Sequence, residues 1–127
     1  MPRFWISLAL LCGLPFAYGT ATGSEPAPES VNSIVQWNKA LLSILRTPGA
    51  QPATLHPTRS FAILHAAMYD AVNAIDRTHE PYLVRLERVS ARASQPAAAD
   101  AAAHEVLVTL YPAFQAALDA RFEQLLV

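Results

Sequence analysis

Four histidines, His56, His65, His79 and His104, and ten acidic side chains are the groups of this 127-residue sequence with the right chemistry for proton transfer or metal ligation. His104-Glu105 opens like the zinc-protease pattern H-E-x-x-H, in which two histidines one helical turn apart share a metal and the glutamate activates water. Val108 stands where the second histidine must be, so that reading fails. His65 and Asp70 are five residues apart, about 140° around a helix, which is too far to pair directly or to chelate one ion from the same face. His65, Tyr69 and Asp76 do fall on one side of a helix, and such a row can orient a buried proton carrier. The simpler reading is a histidine and a tyrosine hydrogen-bonded at a helix interface.

Arg85, Arg88 and Arg92 have helical spacing, and guanidinium forks match phosphate-like oxygens. Glu87 and helix-poor surroundings favour a solvated connector instead. A G-x-S-x-G elbow and a Walker pattern are both missing, and of the four glycines two fall in the first 21 residues. Trp37 and Tyr82 have the shape of ligand-stacking platforms, but a tryptophan three residues after Ile34 on a helix face belongs more naturally in a core. The lone cysteine, Cys12, closes no intrachain disulfide and builds neither a thiolate metal cage nor a dithiol redox site.

These residues have to be positioned by elements that start after a leader. Arg3, the apolar run from Phe4 to about Tyr18 and the small residues Gly19 and Ala21 read as a secretory signal peptide over residues 1–21, cleaved near Ala21. A membrane anchor needs about 20 apolar residues, and this run is shorter and broken by Gly13 and Pro15. Its removal takes away Arg3 and no acid, so nine cations against ten acids becomes eight against ten. That balance implies neither nucleic acid nor an anionic membrane surface as a partner. A secreted or periplasmic location follows from the leader, and the processed chain is cysteine-free. Residues 22–30, with Ser24, Pro26 and Pro28, form a linker.

The rest, residues 31–127, is expected to be all-α. Asn32 or Ser30 caps a first helix with Ile34, Val35, Leu41, Leu42 and Leu45 at helical steps, and Thr47-Pro48-Gly49 stops it. Between His56 and Arg77, Pro57 suits the first helical position, and Phe61, Leu64, Met68, Val72 and Ile75 form one core stripe. The opposite side of that helix is small or apolar too, at Ala62, Ile63, Ala66, Ala67, Ala71 and Ala74, which suggests a helix surrounded by others. A third helix starts with Ser94 as cap and Pro96 in its first turn and reaches Tyr111. A fourth begins at Pro112, with Phe114, Leu118, Phe122 and Leu125 on one face. Residues 121–127 keep helical register without a stop signal, and the apolar surface exceeds what about 100 residues hide among themselves. More polypeptide or a second copy of the chain is expected to cover it.

Val35-Gln36-Trp37-Asn38, Arg46-Thr47-Pro48-Gly49, His56-Pro57-Thr58-Arg59 and the stretch from His65 to Asn73, H-A-A-x-Y-D-A-x-N, resemble the amino-terminal helical region of bacterial vanadium-dependent haloperoxidase-like proteins. That family belongs to the type-2 phosphatidic acid phosphatase superfamily, and the resemblance spans roughly residues 31–126. It implies a helical bundle whose vanadate or phosphate is held by a lysine, arginines, a P-S-G-H segment and a later arginine-histidine segment in carboxy-terminal helices. This sequence has no P-S-G-H, its only lysine, Lys39, lies in the first helix, and none of its histidines matches a catalytic motif of the family.

The resemblance therefore carries over no catalytic, cofactor-binding or metal-binding residue. An oxyanion site needs converging cations, and a peroxide-activating site needs an acid or base against it. The expectation is an amino-terminal scaffold portion of a haloperoxidase- or phosphatase-like protein, truncated before its active site and inactive alone, with vanadate bound only in a complete relative. Its partner would be the missing carboxy-terminal helical half or a second copy. The competing expectation is a self-sufficient exported helical module that binds a partner or dimerises.

Overall fold

The computed structural model describes residues 32–126 apart from Pro52 and Leu55, so the expected signal peptide, residues 1–21, and the expected linker, residues 22–30, lie outside the described residues. Four α-helices follow one another: α1 (Ser33–Arg46), α2 (Pro57–Asp76), α3 (Gln95–Leu110) and α4 (Gln115–Leu125), the last entered through a 3-10 turn at Pro112–Phe114. The described residues contain no strand, and the architecture is all-α. No helix among them is long and apolar enough to cross a membrane.

The helix starts follow from side-chain chemistry. Asn32 Oδ1 accepts from Val35 N–H at 3.2 Å and Ser94 Oγ accepts from Ala97 N–H at 3.3 Å, each satisfying a donor that a helix start leaves open. Pro57 and Pro96 sit in the first turns of α2 and α3, where a missing N–H costs nothing. The stops are less conventional. Gly49 takes φ 77 just past α1, as a left-handed turn asks. After α2 the left-handed position falls to Arg77, φ 57, although a side chain there is disfavoured. Its guanidinium compensates by donating to Ala74 O at 3.3 Å and to Val89 O at 2.9 Å.

The sequence pattern points to α2 as the surrounded helix, and here the structure differs. The helix with the most extensive packing is α3, which lies chiefly against α2 and also against α4 and α1. Ala99 and Ala103, 4% and 0% exposed, let the neighbouring backbones come close, and Leu107 fills the next turn. The predicted stripe of α2 does face inward: Leu64, Met68 and Ile75 are buried, with Phe61 and Val72 packed against the core. Its alanine side stays open, with Ala62 exposed and Ile63, Ala66, Ala67 and Ala71 only half-buried.

The core is joined by Trp37, Leu41, Leu64 and Leu107, all fully buried. Each such aliphatic side chain contributes about 1.5–3 kcal/mol by leaving water. Phe114, Leu118, Phe122 and Leu125 of the last segment reach this core on the face that their spacing predicts.

Candidate functional site

Asp70 is the most heavily committed polar side chain of the fold. Although it is 6% exposed, its carboxylate accepts three backbone N–H groups of the connector after α2: Tyr82 at 2.6 Å, Leu83 at 2.8 Å and Val84 at 2.8 Å. Burial pushes its carboxyl up, but the bonds from Val84, Leu83 and Tyr82 hold the charged form, and the net pKa is below the ordinary carboxylate value. Three residues on, Asn73 grips the same connector from both sides of one residue, donating to His79 O at 2.8 Å and accepting from His79 N–H at 3.1 Å. Tyr69 OH donates to Glu80 O at 2.9 Å. Tyr69, Asp70 and Asn73 thus fasten residues 79–84 to the second half of α2.

On the neighbouring face of α2 the row His65, Tyr69 and Asp76 lines one open groove, joined by His79 and floored by Ile34, Met68, Val72 and Ala99. The groove brings the row together without leaving it free to react. His65 Nε2 lies 3.0 Å from Asn38 Oδ1 across the α1–α2 contact, which matches the helix-interface reading. Tyr69 is held by the connector, and Asp76 Oδ2 accepts from Thr78 Oγ1 at 2.7 Å. Because the hydroxyl spends its proton on Asp76, the 2.7 Å contact between Thr78 Oγ1 and His79 Nδ1 is donated by the ring.

The arginines do not converge. Residues 77–94 are not helical, so the spacing of Arg85, Arg88 and Arg92 gives no common face. Arg85 pairs with Glu80 at 2.7 Å, and both side chains are largely exposed. Arg77 is occupied by two carbonyls, and Arg121 donates to Gln36 Oε1 at 3.3 Å. Lys39 is an exposed residue of α1. A vanadate or phosphate site needs several cations aimed at one point, and the described residues do not fit that group. Among them, no cluster of three or more histidine, cysteine, aspartate or glutamate side chains is placed to hold a metal ion.

The remaining sequence candidates resolve into structure. His104 lies 2.6 Å from Asp119 Oδ1 and stacks on Phe122 at 4.7 Å between ring centroids, tying α3 to α4. Trp37 is core, as its position on the helix predicts, while Tyr82 is 75% exposed. His56 precedes α2 without a side-chain cap bond. Sequence reasoning did not find the partners of Asp70, Asn73 and Asp100, because each lies across a loop or on another helix. A local signal existed for each of them: Asp70 and Asn73 at a three-residue step among the small residues of α2, and Asp100 alone among the alanines of α3, are polar groups that need partners if their faces are buried.

Compared with known proteins, the chain matches no family model, no curated protein and no solved structure.

Proposed function

We propose that this chain is the amino-terminal scaffold portion of an exported haloperoxidase- or phosphatase-like protein, built to pack around a catalytic helical bundle and carrying no anion pocket of its own. The observation that supports this most is the use made of the H-A-A-x-Y-D-A-x-N segment. His65, Tyr69, Asp70 and Asn73 all bond to a neighbouring helix or to the connector. A motif whose polar groups are consumed in this way positions backbone and leaves the reacting groups to come from elsewhere.

Two open apolar surfaces agree with a scaffold role. One is the groove beside Ile34, Met68 and Val72, and the other is the alanine side of α2 next to Leu83 and Leu86. Apolar surface of this kind on a small helical unit marks a place where other polypeptide packs.

The reading is tested on nucleotides. Genomic sequence beyond the Val127 codon should encode, in one of its frames, further amphipathic helix and then P-S-G-H. Its absence from every frame would overturn the proposal. Independently, the purified chain given vanadate, peroxide and bromide should brominate no faster than a boiled control, since the cations of the described residues do not converge on one point where an anion could be held.

A further inference from the structure

We propose that the Arg88–Val89 peptide bond is a processing site for an endopeptidase that takes arginine on the acyl side of the bond, and that the cut chain stays together as one folded particle. This goes beyond the scaffold reading and does not depend on it. An endopeptidase binds several residues on each side of its bond in extended form, so it needs an exposed segment whose backbone is not already engaged. The connector between α2 and α3 supplies one such window. As far as Val84 it is fastened to α2 by Tyr69, Asp70 and Asn73. At its other end it turns into α3, with Arg92 N–H on Ser90 Oγ at 3.2 Å, Ala93 N–H on Ser90 O at 3.0 Å and Ser94 as the helix cap. Between these anchors the backbone N–H groups of residues 85–91 make no hydrogen bond among the described residues. The bonds that carbonyls of the window accept are those from Arg77 to Val89 O and from Ala93 to Ser90 O.

Three arginines lie in or beside the window, and they are not equivalent. Cutting after Arg85 requires Leu83 and Val84 in extended form, and Asp70 holds both. Cutting after Arg92 requires Ser94 and Gln95, the cap and the first residue of α3. Arg88 stands at the centre, with residues 85–87 before it and 89–91 after it, and it is exposed. Its φ of 62 is left-handed, which a residue with a side chain disfavours. Arg77 shares that conformation and compensates through two guanidinium bonds, whereas Arg88 makes no ion pair and no side-chain hydrogen bond among the described residues. Extending the segment therefore relieves Arg88 of a strained backbone and breaks nothing that its side chain holds. Hydrolysis adds one water across the bond, the hydroxyl to the Arg88 carbonyl carbon and the hydrogen to the Val89 nitrogen, leaving a carboxylate and an amine. The two products then carry α1 with α2 and α3 with α4. The most extensive helix contact of the fold, α2 on α3, spans the cut, as do the Trp37–Asp100 and Ser60–Tyr111 hydrogen bonds. The bonds of Asp70 all lie on its amino-terminal side, so that clamp stays whole.

Limited digestion of the full chain with trypsin, read by intact-mass spectrometry, tests this. Within residues 32–126 the first cut should fall after Arg88, about tenfold or more faster than after Arg46, Arg77, Arg85 or Arg92. The two products should leave a gel-filtration column in one peak, with the helical circular dichroism of the uncut chain. Arg88→Gln should slow the opening of the connector by about tenfold or more, a direction opposite to that of a variant that merely unfolds. Measured against a small peptide substrate, the rate of the first cut should change by less than about twofold in 1 M urea, because local opening exposes little buried surface. A first cut elsewhere in residues 32–126 overturns the proposal. So do products that part on the column, an Arg88→Gln chain opened as fast as the natural one, and a first cut that accelerates in urea as global unfolding would.

Discussion

The indole Nε1 of Trp37 donates to Oδ1 of Asp100 at 2.9 Å, joining α1 to α3 across 63 residues of sequence. The tryptophan is fully buried and the aspartate is 2% exposed. This bond fixes which turn of α3 faces α1, because an aspartate placed in a helix-helix contact has to find its donor there. Trp37→Phe keeps most of the ring packing and removes the N–H, so the carboxylate loses its indole donor inside the core. The expected cost is about 2–3 kcal/mol, the loss of a hydrogen bond to a charged group. Urea unfolding of Trp37→Phe, Asp100→Ala and the double variant should give a coupling energy of about 1–3 kcal/mol. Additive losses would show that the two side chains act separately.

Asp70 predicts the shape of the acid limb of stability. Its folded-state pKa is held below the ordinary value by three backbone N–H groups that outweigh burial. The sign follows: its contribution is complete above the unfolded-state value, about 3.9, and is lost as pH falls through the lowered folded-state value. Denaturation midpoints measured from pH 7 down to pH 2 should therefore drop for the natural protein and fall less steeply for Asp70→Asn. At pH 7 the same variant should be less stable by about 2–4 kcal/mol, because an amide nitrogen cannot accept the N–H bonds of the connector. An unchanged acid limb would show that other carboxylates dominate it.

The helices were legible in the sequence because their signals are local. Asn32, Pro57, Ser94 and Pro96 act within one turn of themselves, and the caps and first-turn prolines fall where those residues place them. The core faces of α2 and α4 were legible for the same reason, as repeats within one helix. The hub was not. That α3 rather than α2 is the helix most fully packed against its neighbours depends on which small residues meet which others. The alanines of α2 and those of α3 look alike in sequence, and only packing separates Ala103, fully buried, from Ala62, left exposed. The row His65, Tyr69 and Asp76 was legible as one face, but its occupation was not. Asn38, Glu80 and Thr78, which take up those three side chains, sit on another helix or in a connector without helical period.

Tyr111 illustrates a residue whose sequence position suggests only a helix end. Its hydroxyl lies 2.7 Å from Ser60 Oγ and donates to Gln51 Oε1 at 3.0 Å, linking the end of α3 to the start of α2 and to the loop after α1. Ser60 is fully buried. Tyr111→Phe should cost about 1–2 kcal/mol by leaving that serine without its phenolic partner. Ser60→Ala should cost less, and Tyr111→Phe in the Ser60→Ala background should be milder than in the natural chain. Thermal unfolding of the four proteins decides it, and equal effects of Tyr111→Phe in both backgrounds would assign its role to Gln51 alone.

The attachment of α4 rests on one buried residue, Leu118, on the half-buried Phe122 and Leu125, and on the 2.6 Å contact of His104 with Asp119. The Asp119 side chain is 45% exposed, so solvent screens the pair and Asp119→Ala should lower global stability by only about 0.5–1 kcal/mol. Phe122 is different, because it stacks on the imidazole as well as touching the core. Phe122→Ala should release the helix more than removal of the charge does, by about 2–3 kcal/mol for a partly buried ring. Amide hydrogen exchange separates the two effects. In Phe122→Ala the amides of residues 118–125 should exchange faster while those around Leu64 and Leu107 keep their protection, as expected when one helix opens as a local unit. Loss of protection throughout α2 and α3 as well would mean that α4 is part of the cooperative core.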